Sequence, residues 1–419
     1  MGEKTINVLY VGHTLVGDAD ATGNTLYQIF HDIKGIRFMQ YCLDYDPKHH
    51  TNTFETVYIS PKKSKLYFQI KKYYRNDSNS TVNELVTGDA ERKGNAFIAV
   101  AKAIMDSLHK EMGEESLKKI DDFKPQVIYT LGENITTLKH AIMLSNRYRV
   151  PIVLHVMDDF EPTIYGYTKL TYLWRKRYIS LLNVAYSRSV TNFAISDKMA
   201  KEYEKRHRTP FDFAMNCLDE LHPQPIPNNE PLRMVFSGGL HGGRAASIAK
   251  IADIIKNDNV LRENLTLTVH TSQVNIELYG DLLKDKVDLQ SYVPKEDMYA
   301  NLGKADILLH VESFQPEEIS YYRLSMSTKI PECMSVGRPV FCYGPLDICT
   351  VSYIKDRGFG LVAENEHEVL NSLHALIDDR NLRLELGKRA LEIAKKEHLK
   401  TSVQQRVYDV FCESVGTSR

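Results

Sequence analysis

Met234-Val-Phe-Ser-Gly238-Gly239-Leu240-His241-Gly242-Gly243-Arg244 passes from apolar, β-prone residues through four glycines into a predicted helix that begins at Arg244. A strand that turns directly into a helix is the opening unit of an α/β sheet. Where glycines lack a Cβ the backbone can approach an anion closely, and the free N–H groups and dipole of the following helix favour negative charge. Arg244 would add a fixed positive charge. The spacing is not Gly-x-Gly-x-x-Gly, and no acidic residue closes a second strand about 20 residues later, so a nicotinamide-binding dehydrogenase is not supported. A tight turn that binds nothing is the alternative.

Outward from this junction the same rhythm continues. On the C-terminal side LTLTVHT, VDLQSYV, ADILLHV, RPVFCYG and GFGLVA read as strands separated by helical stretches; on the N-terminal side INVLYVGH, RFMQYCL, QVIYTLG and PIVLHVMDD do the same. Such alternation predicts two parallel sheets covered by helices. Pro223, Pro225, Pro227 and Pro231 fall within nine residues and favour an extended connector. The expected organisation is therefore a first domain over 1–220, a proline-rich linker over 221–231 and a second domain over 232–399. The stretch from Glu366 to Ser414 reads as largely helical, long enough for residues from about 400 to 419 to return to the first domain. Ligands of open α/β sheets bind outside the carboxyl ends of the strands, so two such lobes predict a cleft.

The 419 residues are 43% hydrophobic and 26% charged, the composition of a folded globular protein. A net charge of −1 gives no indication of bulk nucleic-acid binding. No run of about 18 apolar residues occurs and the N-terminus lacks a signal-peptide pattern, which predicts a cytoplasmic protein. The six cysteines show no CxxC pairing and read as reduced, structural thiols. Scattered histidines, among them His13, His155, His241, His270 and His310, lack ligand spacing, so no metal is expected.

A second constellation is Ser325-Met-Ser327-Thr328-Lys329-Ile-Pro331-Glu332-Cys-Met-Ser-Val-Gly337-Arg338-Pro339-Val340. Ser327 or Thr328 could cap a helix, Lys329 could offset phosphate charge, and the Glu332 carboxylate could accept two ribose hydroxyl protons. Together the two blocks, a Gly-rich turn with a base near 240 and Thr-Lys-x-x-Glu-x-x-x-x-Gly-x-Pro-Val about 90 residues on, resemble the retaining GT-B glycosyltransferases of glycosyltransferase family 4. The resemblance spans nearly the whole chain. It implies a GT-B fold of two doubly wound, Rossmann-like domains facing across a cleft. It also implies a metal-independent, retaining transfer of a sugar from a nucleotide-diphosphate donor, in surface polysaccharide or glycan synthesis. No cofactor is implied, and a UDP-sugar is favoured as donor.

By the same resemblance Glu332 matches the ribose-binding glutamate, Lys329 and Arg244 match diphosphate-binding bases, and Gly238, Gly239, Ser327 and Thr328 join the donor site. Ala21-Thr22-Gly23-Asn24 looks like the glycine loop after the first strand, which brings Gly23 to the donor. Three positions depart from the pattern. Leu324 stands where an earlier glutamate is usual, leaving Glu317 and Glu318 as nearby acids. Gly239 stands where an arginine is usual, and Met157-Asp158 replaces His-Asp. The Asp-Asp-Phe form resembles a branch of bacterial polysaccharide transferases and marks Asp158 and Asp159 as acceptor-side or sugar-hydroxyl contacts. Tyr292-Val293-Pro294, after a predicted strand, is a candidate for the neighbourhood of the base.

The acceptor is expected to be a saccharide or a lipid-linked saccharide. Residues 61–75 and Tyr172-Leu-Trp174-Arg175-Lys176-Arg177-Tyr178 interleave bases with aromatics, a composition suited to peripheral contact with an anionic membrane face. Two other functions remain open on the residues alone: a non-catalytic sugar-nucleotide-binding subunit, and a GT-B enzyme of another type such as a nucleotide-sugar epimerase or a phosphorylase.

Overall fold

The computed structural model describes residues 5–17, 21–43, 54–58, 99–100, 103–104, 106, 112–165, 169–227 and 229–417. The 61–75 segment singled out above lies outside them. The chain divides into two compact units, one comprising Met1–Met215 with Gln404–Arg419 and the other Asn216–Val403.

The first unit is built on a parallel sheet of strands β1 (Ile6–Gly12), β2 (Ile36–Cys42), β3 (Glu55–Tyr58), β4 (Val127–Thr130), β5 (Ile152–Val156), β6 (Asn192–Ala194) and β7 (Phe211–Phe213). Their spatial order is β3-β2-β1-β4-β5-β6-β7. The central strands β1, β4 and β5 are buried almost throughout because helices cover both faces, which is why they read as continuous apolar runs rather than alternating ones. Helix starts follow ordinary capping chemistry. Asn134 accepts from the backbone N–H groups of Thr136 and Thr137 at the head of helix Ile135–Tyr148, and Ser196 caps Asp197–His207 through Met199.

The last helix, Lys400–Thr417, begins in the second unit and from Gln404 onward belongs to the first. Gln404 donates to the carbonyls of Ile29 and His31 at 3.0 and 2.8 Å. Phe411 stacks on Phe30, with ring centroids 6.2 Å apart. The returning helix predicted from the sequence is therefore present.

The second unit holds β8 (Leu232–Ser237), β9 (Leu265–Thr271), β10 (Asp288–Ser291), β11 (Ile307–Val311), β12 (Val340–Tyr343) and β13 (Gly360–Ala363), all parallel, in the order β10-β9-β8-β11-β12-β13. This is the doubly wound order in which chain progression reverses between the first and fourth strands, here β8 and β11. All six strands were legible in the sequence.

The proline-rich stretch lies inside the second unit and is fastened to its Gly-Arg-Pro turn. His222 and Gln224 donate their N–H groups to Ser335 and Val336 at 3.1 and 3.3 Å. The guanidinium of Arg338, almost fully buried, donates to the carbonyls of Gly303, Ala305, Gln224 and Pro225. An Arg buried among carbonyls instead of carboxylates satisfies many main-chain acceptors at once, at the cost of a desolvated charge. Arg338→Ala would strand those carbonyls and open a void, so we expect it to destabilise the second unit by roughly 3 kcal/mol. Urea unfolding followed by circular dichroism checks this, with Lys388→Ala on the solvent-exposed face of helix Arg380–Ile393 as the near-neutral control.

Candidate functional site

The point where chain progression reverses gathers most of the residues singled out in the second unit. From β8 the chain enters Gly238-Gly239-Leu240-His241-Gly242-Gly243 and then helix Arg244–Asn257. Gly242 and Gly243 have φ of +65° and +77°, a left-handed region that favours glycine, and Gly243 also serves as the helix N-cap. A Cβ on Gly243 would lie 2.3 Å from the hydroxyl of Ser313, just beyond β11. The turn thus packs directly against the carboxyl end of the neighbouring strand.

Arg244 does not present a bare positive charge. Its guanidinium donates to Glu312 Oε2 from Nη2 at 2.9 Å and from Nε at 3.1 Å, and lies 4.9 Å from the centre of the Tyr322 ring. Glu312, the residue after β11, is buried and also meets His310 Nε2 at 3.0 Å. Burial alone would raise the carboxyl pKa, but the His310 hydrogen bond and the Arg244 charge outweigh it and hold Glu312 below the ordinary carboxylate value. Sequence reasoning did not single out Glu312. Its one signal there was a carboxylate placed immediately after a five-residue apolar strand.

Lys329 reaches the same place. A Cβ on Gly238 would lie 2.8 Å from its ammonium nitrogen, which also sits 5.7 Å from the centre of the Tyr292 ring. Among the described residues no hydrogen bond or ion pair engages that ammonium. Burial depresses the Lys329 pKa, the Glu332 carboxylate acts against the shift, and the Arg244 charge adds to it. Glu332 lies in the first turn of helix Ile330–Ser335, and burial followed by its charge pushes Tyr299 up to about 12. Close by, Gly238 donates its N–H to the carbonyl of His270 at 2.9 Å. The buried His270 ring uses Nδ1 on Ser291 and leaves Nε2 without a hydrogen-bond partner.

Ser327 and Thr328 do not cap the helix, contrary to expectation. Lys329 itself is the N-cap, in helical conformation, and no side chain fills the cap. Ser327 instead receives Ile330 N–H on its carbonyl and donates its own N–H to Thr350 Oγ1, while the Thr328 carbonyl accepts from Asn216 Nδ2. Pro331 in the first turn removes one donor that a cap would have satisfied. Leu324 is buried, so that position offers no contact to a ligand. The acid brought to the glycine turn is Glu318, whose Oε2 would lie 3.2 Å from a Cβ on Gly242. A Cβ on Gly239 would meet the His241 ring at 2.6 Å.

In the first unit Asp158 and Asp159 follow β5. Asp159 is buried and accepts from Tyr203 Oη at 2.7 Å and from both terminal nitrogens of Arg206 at 2.8 and 3.3 Å. Its carboxylate clamps helix Asp197–His207 to the end of β5. Asp158 is half-buried, and its carbonyl accepts the N–H of Phe160. Gly23 lies within the first turn of helix Ala21–Phe30, not in a loop, and its carbonyl accepts Gly17 N–H at 3.2 Å. His155 is a core residue beside Tyr129 Oη; burial lowers its pKa to about 3, so it is neutral at physiological pH. Among the described residues no group of three or more His, Cys, Asp or Glu could hold a metal ion, and no helix is long and apolar enough to cross a membrane.

No family model matches the chain, and no curated protein matches it by sequence. Solved structures match it over nearly its whole length. HepE of Anabaena, in complex with UDP, is 13% identical with a TM-score of 0.61, covering 97% of this chain and 100% of that one. Sucrose-phosphate synthase from Thermosynechococcus elongatus is 11% identical with a TM-score of 0.61, over 99% and 100%. WaaG, a glycosyltransferase involved in lipopolysaccharide biosynthesis, is 15% identical with a TM-score of 0.57, over 97% and 99%. At these identities the likeness carries the fold, which is that of the GT-B glycosyltransferases.

The Glu312 pairing has a pH signature. Because the folded pKa is depressed, its stabilisation is present above the unfolded glutamate value of about 4.3 and is lost as pH falls through the folded value. The stability gap between wild type and Glu312→Gln is therefore expected to be constant from pH 7 to about 5 and to shrink below that. Urea midpoints measured between pH 7 and 3.5 check it.

Proposed function

We propose that the chain is a glycosyltransferase that takes its sugar from a nucleoside-diphosphate donor held at the carboxyl edge of the second sheet. The observation that carries this is Lys329: a desolvated ammonium, beneath a glycine turn and a helix N-terminus, with no anion bonded to it. A diphosphate would supply that anion, with the N–H groups of the 238–243 turn as further donors. Glu332 is suited to accept the ribose hydroxyls and Tyr292 to flank the base. UDP is the favoured nucleotide, since the structural neighbour HepE is solved with UDP and with UDP-glucose.

In this proposal Arg244 is a positioning residue whose charge is largely balanced by Glu312, and Lys329 supplies the charge that develops a stronger interaction as the leaving diphosphate gains negative charge. Transfer needs no protein-bound metal on this account, and retention of anomeric configuration follows if the leaving phosphate assists the acceptor proton on the same face. Asp158 is the proposed acceptor-side contact, with Asp159 fixing its place through the Arg206 clamp. The acceptor is a saccharide or a lipid-linked saccharide.

Calorimetric titration with the diphosphates of uridine, guanosine and adenosine tests the donor half. We expect one base to bind with chelator present, Lys329→Ala and Glu332→Ala each to weaken it on the order of tenfold or more, and affinity to fall with rising pH below the ordinary lysine value of 10.5. Binding of none of the three at millimolar ligand would overturn the proposal. Binding without hydrolysis or transfer of the matching sugar nucleotide would favour a non-catalytic sugar-nucleotide subunit, the reading that the buried Leu324 supports.

A further inference from the structure

The chain entering helix Tyr172–Tyr186 of the first unit carries three large apolar side chains in solvent: Leu170 is 67%, Tyr172 60% and Leu173 71% exposed. Soluble surfaces do hold single exposed leucines, but three in four residues form a protruding apolar tip. Bases surround it, exposed at positions 169, 176 and 177 and half-buried at Lys139. Lys169 precedes it, Lys176 and Arg177 follow one turn later, and Lys139 comes from helix Ile135–Tyr148, which packs alongside. Burial lowers the Lys139 pKa, and the charge of Arg177 lowers it further, so these cations lie close enough to repel. Neither helix, nor the 169–171 turn, contains an Asp or Glu. Among the described residues none of the four bases forms an ion pair.

The tip also has a defined place on the fold. Tyr178 Oη donates to the Gly132 carbonyl at 2.9 Å, and Thr171 Oγ1 donates to the Tyr165 carbonyl at 2.9 Å. Gly132 follows β4 and Tyr165 follows β5, so the tip is fastened to the carboxyl edge of the first sheet, the edge that carries Asp158.

We infer that this tip docks the first unit on an anionic lipid surface, with Leu170, Tyr172 and Leu173 entering the interface and the four bases lying among the headgroups. Apolar insertion and electrostatic attraction reinforce each other in this pattern, and neither alone accounts for both halves of it. A soluble polyanion would use the bases and gain nothing from exposed leucines. Resting on the transferase proposal, the same placement brings an acceptor anchored in that bilayer to the carboxyl edge at Asp158, which selects the lipid-linked class over the free saccharide.

The docking half stands without the transferase proposal and is read separately. The only tryptophan of the chain, Trp174, lies in this segment and reports on it. Full-length protein is mixed with phosphatidylglycerol–phosphatidylcholine vesicles or with pure phosphatidylcholine vesicles, and co-sedimentation and Trp174 emission are followed at low and high salt. The expected result is sedimentation and a blue shift with the anionic vesicles only, weakened by salt. Leu170→Ser with Leu173→Ser, and Lys176→Glu with Arg177→Glu, should each lower partitioning about tenfold or more, while circular dichroism and nucleotide titration stay as in wild type. Three outcomes overturn the inference: no vesicle binding, binding equal to wild type in both double variants, or loss only in the charge variant, which would mark a polyanion site.

Discussion

Parallel strand pairing is the constraint on which both units depend. A parallel strand cannot be joined to its neighbour by a tight hairpin; the chain must cross back over the sheet, here through helices, so both faces become covered and both sets of strand ends become segregated. All described strands of the two sheets pair in this way. The carboxyl ends therefore collect on one edge of each sheet, where every outgoing turn must lie. At the reversal between β8 and β11 the crossovers leave in opposite directions and the space above the strand ends is not closed by a connection. The glycine turn, Glu312, Ser313 and the Tyr292 ring are brought together there by topology, although up to about 80 residues separate them in the chain.

The electrostatics of that edge follow from what each charge is bonded to. A buried carboxylate is costly unless it is paired and hydrogen-bonded, and Glu312 meets that requirement with His310 on one oxygen and Arg244 on the other. Arg244 is fixed as a result, since its guanidinium is held by two hydrogen bonds and backed by Tyr322. Fixation and free charge are different properties. The positional order that makes Arg244 a good template is bought with most of its field, which leaves Lys329 as the cation with unspent charge. With Gly239 contributing no side chain, the positive charge of this edge rests on Arg244 and Lys329.

Much of this was legible in the sequence, and unevenly so. Strands β8, β9, β11 and β12 of the second unit and the central strands of the first are largely buried, so each appears as a compact apolar run, whereas β10 is mostly exposed at the sheet edge and was read from a mixed stretch. β3 and β7 were not legible: Glu55–Tyr58 and Phe211–Phe213 are short, lie at the sheet edges and mix polar with apolar residues. In the site, Gly238 and Lys329 were recognisable because glycine spacing and a Lys-x-x-Glu block are local patterns. Glu312 was not, because its meaning depends on Arg244, which is 68 residues away in the chain. The proposed caps at Ser327 and Thr328 failed for a related reason. Their main-chain groups are taken by Thr350 and Asn216, partners that no local rule predicts.

Asp159 shows the same limit from the other side. A pair of acids at the end of a buried strand suggests two equivalent ligands for a sugar hydroxyl. Once helix Asp197–His207 is in place the two become different groups, because Arg206 and Tyr203 converge on Asp159 and leave it a structural anchor. Anchoring one acid is what gives the other a defined position, since adjacent residues leaving a strand cannot move independently when one of them is clamped. Leu324 and Glu318 stand in a comparable relation in the second unit. The buried leucine fills the position from which a carboxylate is usual, and Glu318, two residues past the helix start at Pro316, brings an acid back to the glycine turn from a different element. An acid displaced in sequence but returned in space keeps negative charge beside the glycine turn while changing the direction from which that charge approaches it.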